Sequence, residues 1–351
     1  MSNSQQFSDS FLSEKRLKGD PAAEIFIRHC FSNADSRLFF YTWLKQLDQN
    51  SGLNQLPADY RQISFIQNCM VLPAWADEKL MRKGSSFFIR HAEKVMQLLG
   101  LLSLPYCYAA ADGAMVLYLS QKLTNDAGKR LSDTADFIWN VMAPDAFHED
   151  GKGFANILKI RLTHALARYY TLESGQWNND LGFPVNQEDM AGTNLSFSLI
   201  VVRGLRKLGL SISYEDQLSF LHLWNVIGFL LGLDEDLIPQ SGKSANVLES
   251  AIRERHFKPS LQGRELTKAL TTYFNSVTPE KVSAKDTLQL MRYLLEDKVS
   301  DILDLPPSSD VLYLPYFLKI ISNLPDFSFG TSAKTLYQQK YQSFKKQSST
   351  S

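Results

Sequence analysis

The chain has 351 residues, 44% of them hydrophobic, and 37 Lys plus Arg balance 37 Asp plus Glu. That length allows a large core, and zero net charge leaves no basic footprint for nucleic acid. Cys30, Cys69 and Cys107 are widely separated with no CxxC pair, which argues against a disulfide framework or zinc ribbon and fits a reducing compartment.

Residues 1–20 (MSNSQQFSDSFLSEKRLKGD) lack the apolar stretch of a signal peptide. They are expected to be a flexible extension of a cytoplasmic protein. Asp20 then caps a helix over 21–31 with Pro21 at its first position. Apolar residues recur every three or four positions in 58–71 and 87–101, which predicts helices. Segment 106–121 (YCYAAADGAMVLYLSQ) reads as a closely packed core helix. Helices are predicted over 128–142 and 153–171, separated by the turn-rich APDAFHEDGKG. A Gly/Asn/Asp-rich loop follows over 174–186.

Further helices are predicted over 187–207 and 214–231. The apolar run FLHLWNVIGFLLGL at 220–233 is shorter than the about 20 residues a membrane span needs, and it contains His222 and Asn225. Helices are also predicted over 262–275, 279–297 (starting at Thr278-Pro279-Glu280), 309–322 and 332–346. A flexible tail at 346–351 closes the chain. Strand-like alternation is scarce and there is no fixed-period repeat. The expected architecture is all-α, one multi-helix domain over 21–345.

Phosphate loops, GxSxG and HExxH are absent. The six histidines, His29, His91, His148, His164, His222 and His256, are scattered. IRLTHALARYY (160–170) stands out. On a helix, Arg161, His164 and Arg168 share a face. The flanking cations disfavour protonation of the imidazole, a neutral imidazole suits a metal, and the arginines suit an anion. On the helix at 128–142, Arg130, Asp133, Thr134 and Phe137 share a face. In VNQEDMAGTNLSFSL, Asn186 is a candidate N-cap, Asp189 a partner for an arginine of the 161–168 face, and Gly192 a point of close helix approach. Gly228 and Gly232 would let helices pack tightly.

The order RLSDT, GKGFANILKIRLTHALAR, GFPVNQEDMAGTNLSFS, GLRKLGL, LHLWNVIGFLLGLDEDLIP resembles the MpaB / rubber oxygenase catalytic domain family, over roughly 75–240. That family includes latex-clearing proteins and fungal oxygenases of mycophenolic acid synthesis. The resemblance implies a globin-like helical core around haem b. His164 would be the proximal iron ligand, and Arg161 and Arg168 would lie at the haem carboxylates. Gln187 or Asp189 would accept the second imidazole N–H, and Arg130 and Thr134 would lie near the haem. It also implies dioxygen and an apolar unsaturated substrate, cleaved at a C=C bond. Asp133 stands where latex-clearing proteins carry a lysine that can reach the distal iron, and it is taken with Arg130 and Thr134 as the catalytic set. The family's upstream glutamate has no counterpart: Ala114 is near its place and Asp112 is out of register. Two readings compete with the oxygenase: a haem sensor or carrier without turnover, and a metal-free helical interaction protein.

Overall fold

The computed structural model of the chain describes residues 6–120, 127–277, 283–307 and 333–348. Among them every regular element is helical, apart from one isolated antiparallel bridge between Ala110 and Phe257. The chain is thus an all-α single domain. The expected helix at 309–322 and the expected start at Thr278-Pro279-Glu280 lie outside the described residues.

The N-terminal segment departs from expectation. Helix α1 (Asp9–Arg16) is capped by the Ser8 side chain, which accepts from the Phe11 N–H. Phe7, Leu12 and Arg16 are buried, so residues 7–16 are part of the fold rather than a loose extension. The expected loose tail is also partly helical, since α17 (Ala333–Ser348) runs through 346–348.

Asp20 caps α2 (Pro21–Cys30) as predicted, accepting from the Ala23 N–H. α3 spans Ala34–Gln46. The helix expected over 58–71 is two short pieces, α4 (Ala58–Arg61) and α5 (Ser64–Asn68), with Ile63 extended between them. The break lets Tyr60 and Phe65 both reach the Phe26 ring. This aromatic group, with Phe40 and Trp43, forms a core under the first third of the chain.

α6 (Glu78–Leu98) starts nine residues before its expected position because the Asp77 carboxylate accepts from two N–H groups of the first turn. It packs most extensively on α13 (Tyr214–Leu230). Gly84 allows this approach, since a Cβ there would lie 2.5 Å from the Ser219 carbonyl oxygen. Phe87 and Phe220 meet across the contact, their ring centroids 5.0 Å apart, while Phe88 packs on Trp139, and α17 closes the core through Tyr337, whose hydroxyl donates to the Trp139 carbonyl.

α6 runs into a π-helical turn, Leu99–Ser103, then α7 (Leu104–Ala109) and α8 (Ala111–Leu119). The single helix expected over 106–121 is therefore broken at Ala110. The backbone there pairs with the chain following α14 (Gly242–His256), at Phe257 and Lys258, so tertiary pairing overrides helix propensity. α9 (Ala127–Val141) and α10 (Gly153–Glu173) match expectation.

The helix expected over 187–207 is α11 (Gln187–Phe197) and α12 (Leu199–Lys207). Ser198, at φ −111° and ψ −80°, separates them. Its hydroxyl donates to the Asn194 carbonyl at 2.8 Å, a bond that competes with the helix ladder. Gly192 lies against Ile252 of α14, the close approach expected. Gly232 is beyond the end of α13, at φ 93°, where a Cβ would collide with Asp20 and Arg161. α15 is Leu261–Val277 and α16 is Ala284–Ile302.

α16 contains one non-helical residue, Glu296, at φ 66° and ψ 162°. Only glycine adopts that region without cost. Glu296→Gly is expected to stabilise the chain by about 1 kcal/mol, because the strain relieved exceeds the exposed Lys207–Glu296 pair lost. Urea unfolding measures this; a destabilised variant would show that the strain account is wrong.

Candidate functional site

α10 carries the 160–170 stretch and separates two cores. Ala155, Leu158, Leu162 and Ala165 face the N-terminal aromatic group, while Phe154 and Ile157 join the main core. Arg161, His164 and Arg168 occupy the face between. His164 is half-buried, and its side chain retains accessible surface. Burial, then the guanidiniums of Arg168 and Arg130, push its pKa down to about 3, so the imidazole is neutral. Nδ1 is sealed and has no hydrogen-bond partner. Nε2 is the nitrogen left with access.

The arginines flanking it have different fates. Arg161 is spent on structure: Nε and Nη2 donate to Asp20 at 2.6 and 3.0 Å, and Nη1 to the Leu230 carbonyl at 3.3 Å. Arg168 is 1% exposed. Nε and Nη2 donate to the Val185 carbonyl at 3.0 and 2.8 Å, and Nη1 has no partner. Its nearest carboxylate, Glu24, is 3.7 Å away, too far for a hydrogen bond. Burial depresses the Arg168 pKa.

Arg130, from α9, reaches toward the same interior. Burial lowers its pKa, opposed by Tyr108, Asp133 and Cys107. No hydrogen bond or ion pair is recorded for its guanidinium among the described residues. Thr134 is beside it, but its hydroxyl donates to the Arg130 carbonyl at 2.8 Å. Asp133 is turned away: its side chain is 66% exposed and pairs with Lys129. The shared face expected for α9 therefore divides, with Arg130 and Thr134 inward and Asp133 outward. Cys107 borders the interior near Arg130, where burial raises its pKa.

Gln187 and Asp189 do not accept from His164. The Gln187 amide donates to the Gly19 and Gly232 carbonyls and accepts from the Asp234 N–H. Asp189 accepts from Arg16 at 3.1 Å and from the Asn186 side chain at 2.8 Å, so its arginine partner is Arg16, not one on the 161–168 face. The Asn186 cap is as predicted, its side chain accepting from the Asp189 N–H.

Beside Asp189 lies a buried charge network absent from the sequence-based expectations. Glu188, fully buried, faces Arg16 at 3.5 Å, Arg255 at 2.7 Å and His256 at 2.8 Å. Asp112 faces Lys258 at 2.9 Å, Arg16 at 3.7 Å and His256 at 3.8 Å. The last separation is an ion-pair distance and too long for a hydrogen bond. His256 holds Asp112 down to about 2. Burial opposes protonation of His256, but Asp112 and Glu188 outweigh it and raise its pKa. No motif flags this network, because Arg16, Asp112, Glu188 and His256 come from four separate segments.

The two shifts bound a pH window. The lowered Asp112 pKa contributes stability above its ordinary value of about 4, and that contribution is lost as pH falls toward 2. The raised His256 pKa contributes stability below about 6.5, lost as pH rises through the folded value. The stability difference between the wild type and His256→Asn is therefore expected to peak between about pH 4 and 6.5. Urea midpoints across pH measure it; a pH-independent difference would refute the assignment.

Among the described residues no three His, Cys, Asp or Glu side chains converge on a metal-sized space, so His164 would be a lone protein donor. None of the described helices is long and apolar enough to cross a membrane.

Comparison with known proteins bears on this site. The rubber oxygenase of Streptomyces sp. (strain K30) is 27% identical over 218 residues, covering 61% of this chain and 53% of that protein. The chain thus spans about half the length of that relative. A solved structure of a latex-clearing protein in the closed state shares the fold, with a TM-score of 0.77 at 20% identity, over 93% of this chain and 90% of that one. The family match covers residues 90–320, reaching well beyond the expected limit of 240. By that match, the chain belongs to the family described as ER-bound oxygenase mpaB/B'/rubber oxygenase, catalytic domain.

Proposed function

We propose that the chain is a haem-b-dependent oxygenase acting on an apolar unsaturated substrate of isoprenoid or lipid-like kind, cleaving a C=C bond with dioxygen to give two carbonyl groups. One observation carries the reading: a neutral, half-buried histidine stands near two arginines, Arg168 fully buried and Arg130 half-buried, neither with a carboxylate within hydrogen-bonding distance. A buried guanidinium whose nearest carboxylate, Glu24, stands off at 3.7 Å is poorly compensated, so this interior favours a further anion. Haem b brings both an iron for a neutral imidazole and two carboxylates for guanidiniums.

On this reading His164 would hold the iron, and the free Nη1 of Arg168 and the Arg130 guanidinium would pair with the haem carboxylates. When bound, haem supplies the redox chemistry of dioxygen. The chain's own contribution is to keep His164 unprotonated, to orient it on α10, and to exclude bulk water. Arg161 acts one step removed, fixing α10 to the start of α2 through Asp20.

A second reading, a haem sensor or carrier, is favoured by Asp133 pointing to solvent and by buried Ala114 near the place of the family's glutamate. Both readings expect a Soret band after haemin addition. Dioxygen uptake with a short polyisoprene oligomer separates them. Uptake matched to carbonyl product supports the oxygenase, and a Soret band without uptake supports the sensor. A chain that takes up no haemin removes both.

A further inference from the structure

A cavity of about 200 Å³ lies between α7, α12, α14 and α16, on residues distinct from those around His164. We propose that it is a second ligand site, taking a small carboxylate on an apolar body.

The lining is divided by chemistry. Leu102, Ile200, Leu294 and Val299 form an apolar floor, while Arg203, Lys207, Arg253 and Lys298 bring four cations to the walls. Two carboxylates answer them. Glu249, 4% exposed, lies behind the wall and accepts from Arg203 at 2.8 Å, Arg253 at 3.0 Å and the Tyr106 hydroxyl at 2.5 Å. It is fully committed. Glu296 pairs with Lys207 at 2.7 Å. Lys298 is exposed, and no partner is recorded for it among the described residues. The cavity therefore carries an excess of positive charge over an apolar base, which complements an anionic head on a hydrocarbon body.

Glu296 indicates which anion. Its backbone occupies a glycine-only region, and residues held there cluster at binding sites. The break in α16 turns its carboxylate onto Lys207 at the edge of the cavity. Lys207 also donates to the Leu294 carbonyl at 2.9 Å. A carboxylate already fits this rim, and a ligand carboxylate would share or take its place. The volume corresponds to roughly seven liquid waters, which suits a short-chain acid rather than a polymer. The π-turn bearing Leu102 supplies part of the floor, a feature frequent at functional sites.

Octanoate titrated into the full chain by calorimetry tests this. One saturable site is expected, with 1-octanol binding at least tenfold more weakly. Glu296→Gln is expected to bind octanoate several-fold tighter, because its carboxylate no longer competes for Lys207. Lys298→Ala, at an exposed position of α16, is expected to bind several-fold more weakly. Absence of saturation, equal binding of octanol, or failure of either variant to shift as stated overturns the proposal. The measurement needs no haem, so its failure leaves the oxygenase reading untouched.

Discussion

Glu188→Ala lowers the stability of the chain by about 3–5 kcal/mol, the penalty for removing one partner from a buried ion network. Glu188 is fully buried and is the point at which α1, α11 and α14 meet, through Arg16, Arg255 and His256. Its pKa stays low because His256 and Arg255 outweigh burial. Alanine would leave Arg16 with Asp189, the Leu181 carbonyl and a distant Asp112. His256 would keep Asp112, at 3.8 Å, and Arg16, whose Nη1 lies 3.4 Å from the ring Nε2. Glu188→Gln keeps the shape and loses the charge, so it should cost less than alanine. Chemical denaturation of the two variants gives both numbers, and an alanine loss under about 1 kcal/mol would mean the network is solvated and weak. A second consequence is local. Arg16 also donates to the Leu181 carbonyl at 2.7 Å, so α1 and the 179–182 turn should lose hydrogen-exchange protection together.

The same network shows what could be read in the sequence and what could not. Local signals were legible: the caps at Asp20 and Asn186, and the long amphipathic helices on either side of the APDAFHEDGKG turn, stand where short-range chemistry puts them. The three-residue face of α10 was legible because i, i+3, i+7 geometry needs only a helix. Helix breaks at Ala110 and Ser198 were not, since one follows from pairing with Phe257, far along the chain, and the other from a hydroxyl choosing a carbonyl one turn back. Partner choice was the least accessible. Asp20, Asp189 and the arginines are all visible as charges, but which pairs form depends on how α1 folds onto α11. A polar, serine-rich N-terminal stretch concealed that Leu12 and Arg16 are interior. The direction of Asp133 depended on one helical rotation, about 100° per residue, too fine for periodicity to settle between inward and outward faces.

His164→Ala is expected to weaken haem retention by at least about 100-fold, beyond the 10- to 100-fold typical of losing a mere supporting contact to a metal ligand. It should do so without unfolding the chain. The Nδ1 atom has no partner, so truncation breaks no protein hydrogen bond, and an unsatisfied buried polar atom is removed rather than created. Three readouts separate this from a packing defect. The Soret band after haemin addition should be lost or strongly displaced. On the haem reading, haemin should raise the melting temperature of the wild type through ligand linkage, and that rise should vanish in the variant. Free imidazole, which fits the space of the missing ring, should restore the band in the variant. Arg168→Leu provides the complement. It keeps the histidine but removes the buried guanidinium, and should weaken haem retention while leaving the position of the Soret maximum unchanged. If His164→Ala retained a wild-type spectrum, iron would be held elsewhere, and the unpaired Nδ1 and lowered pKa of His164 would mark a packed, neutral core histidine.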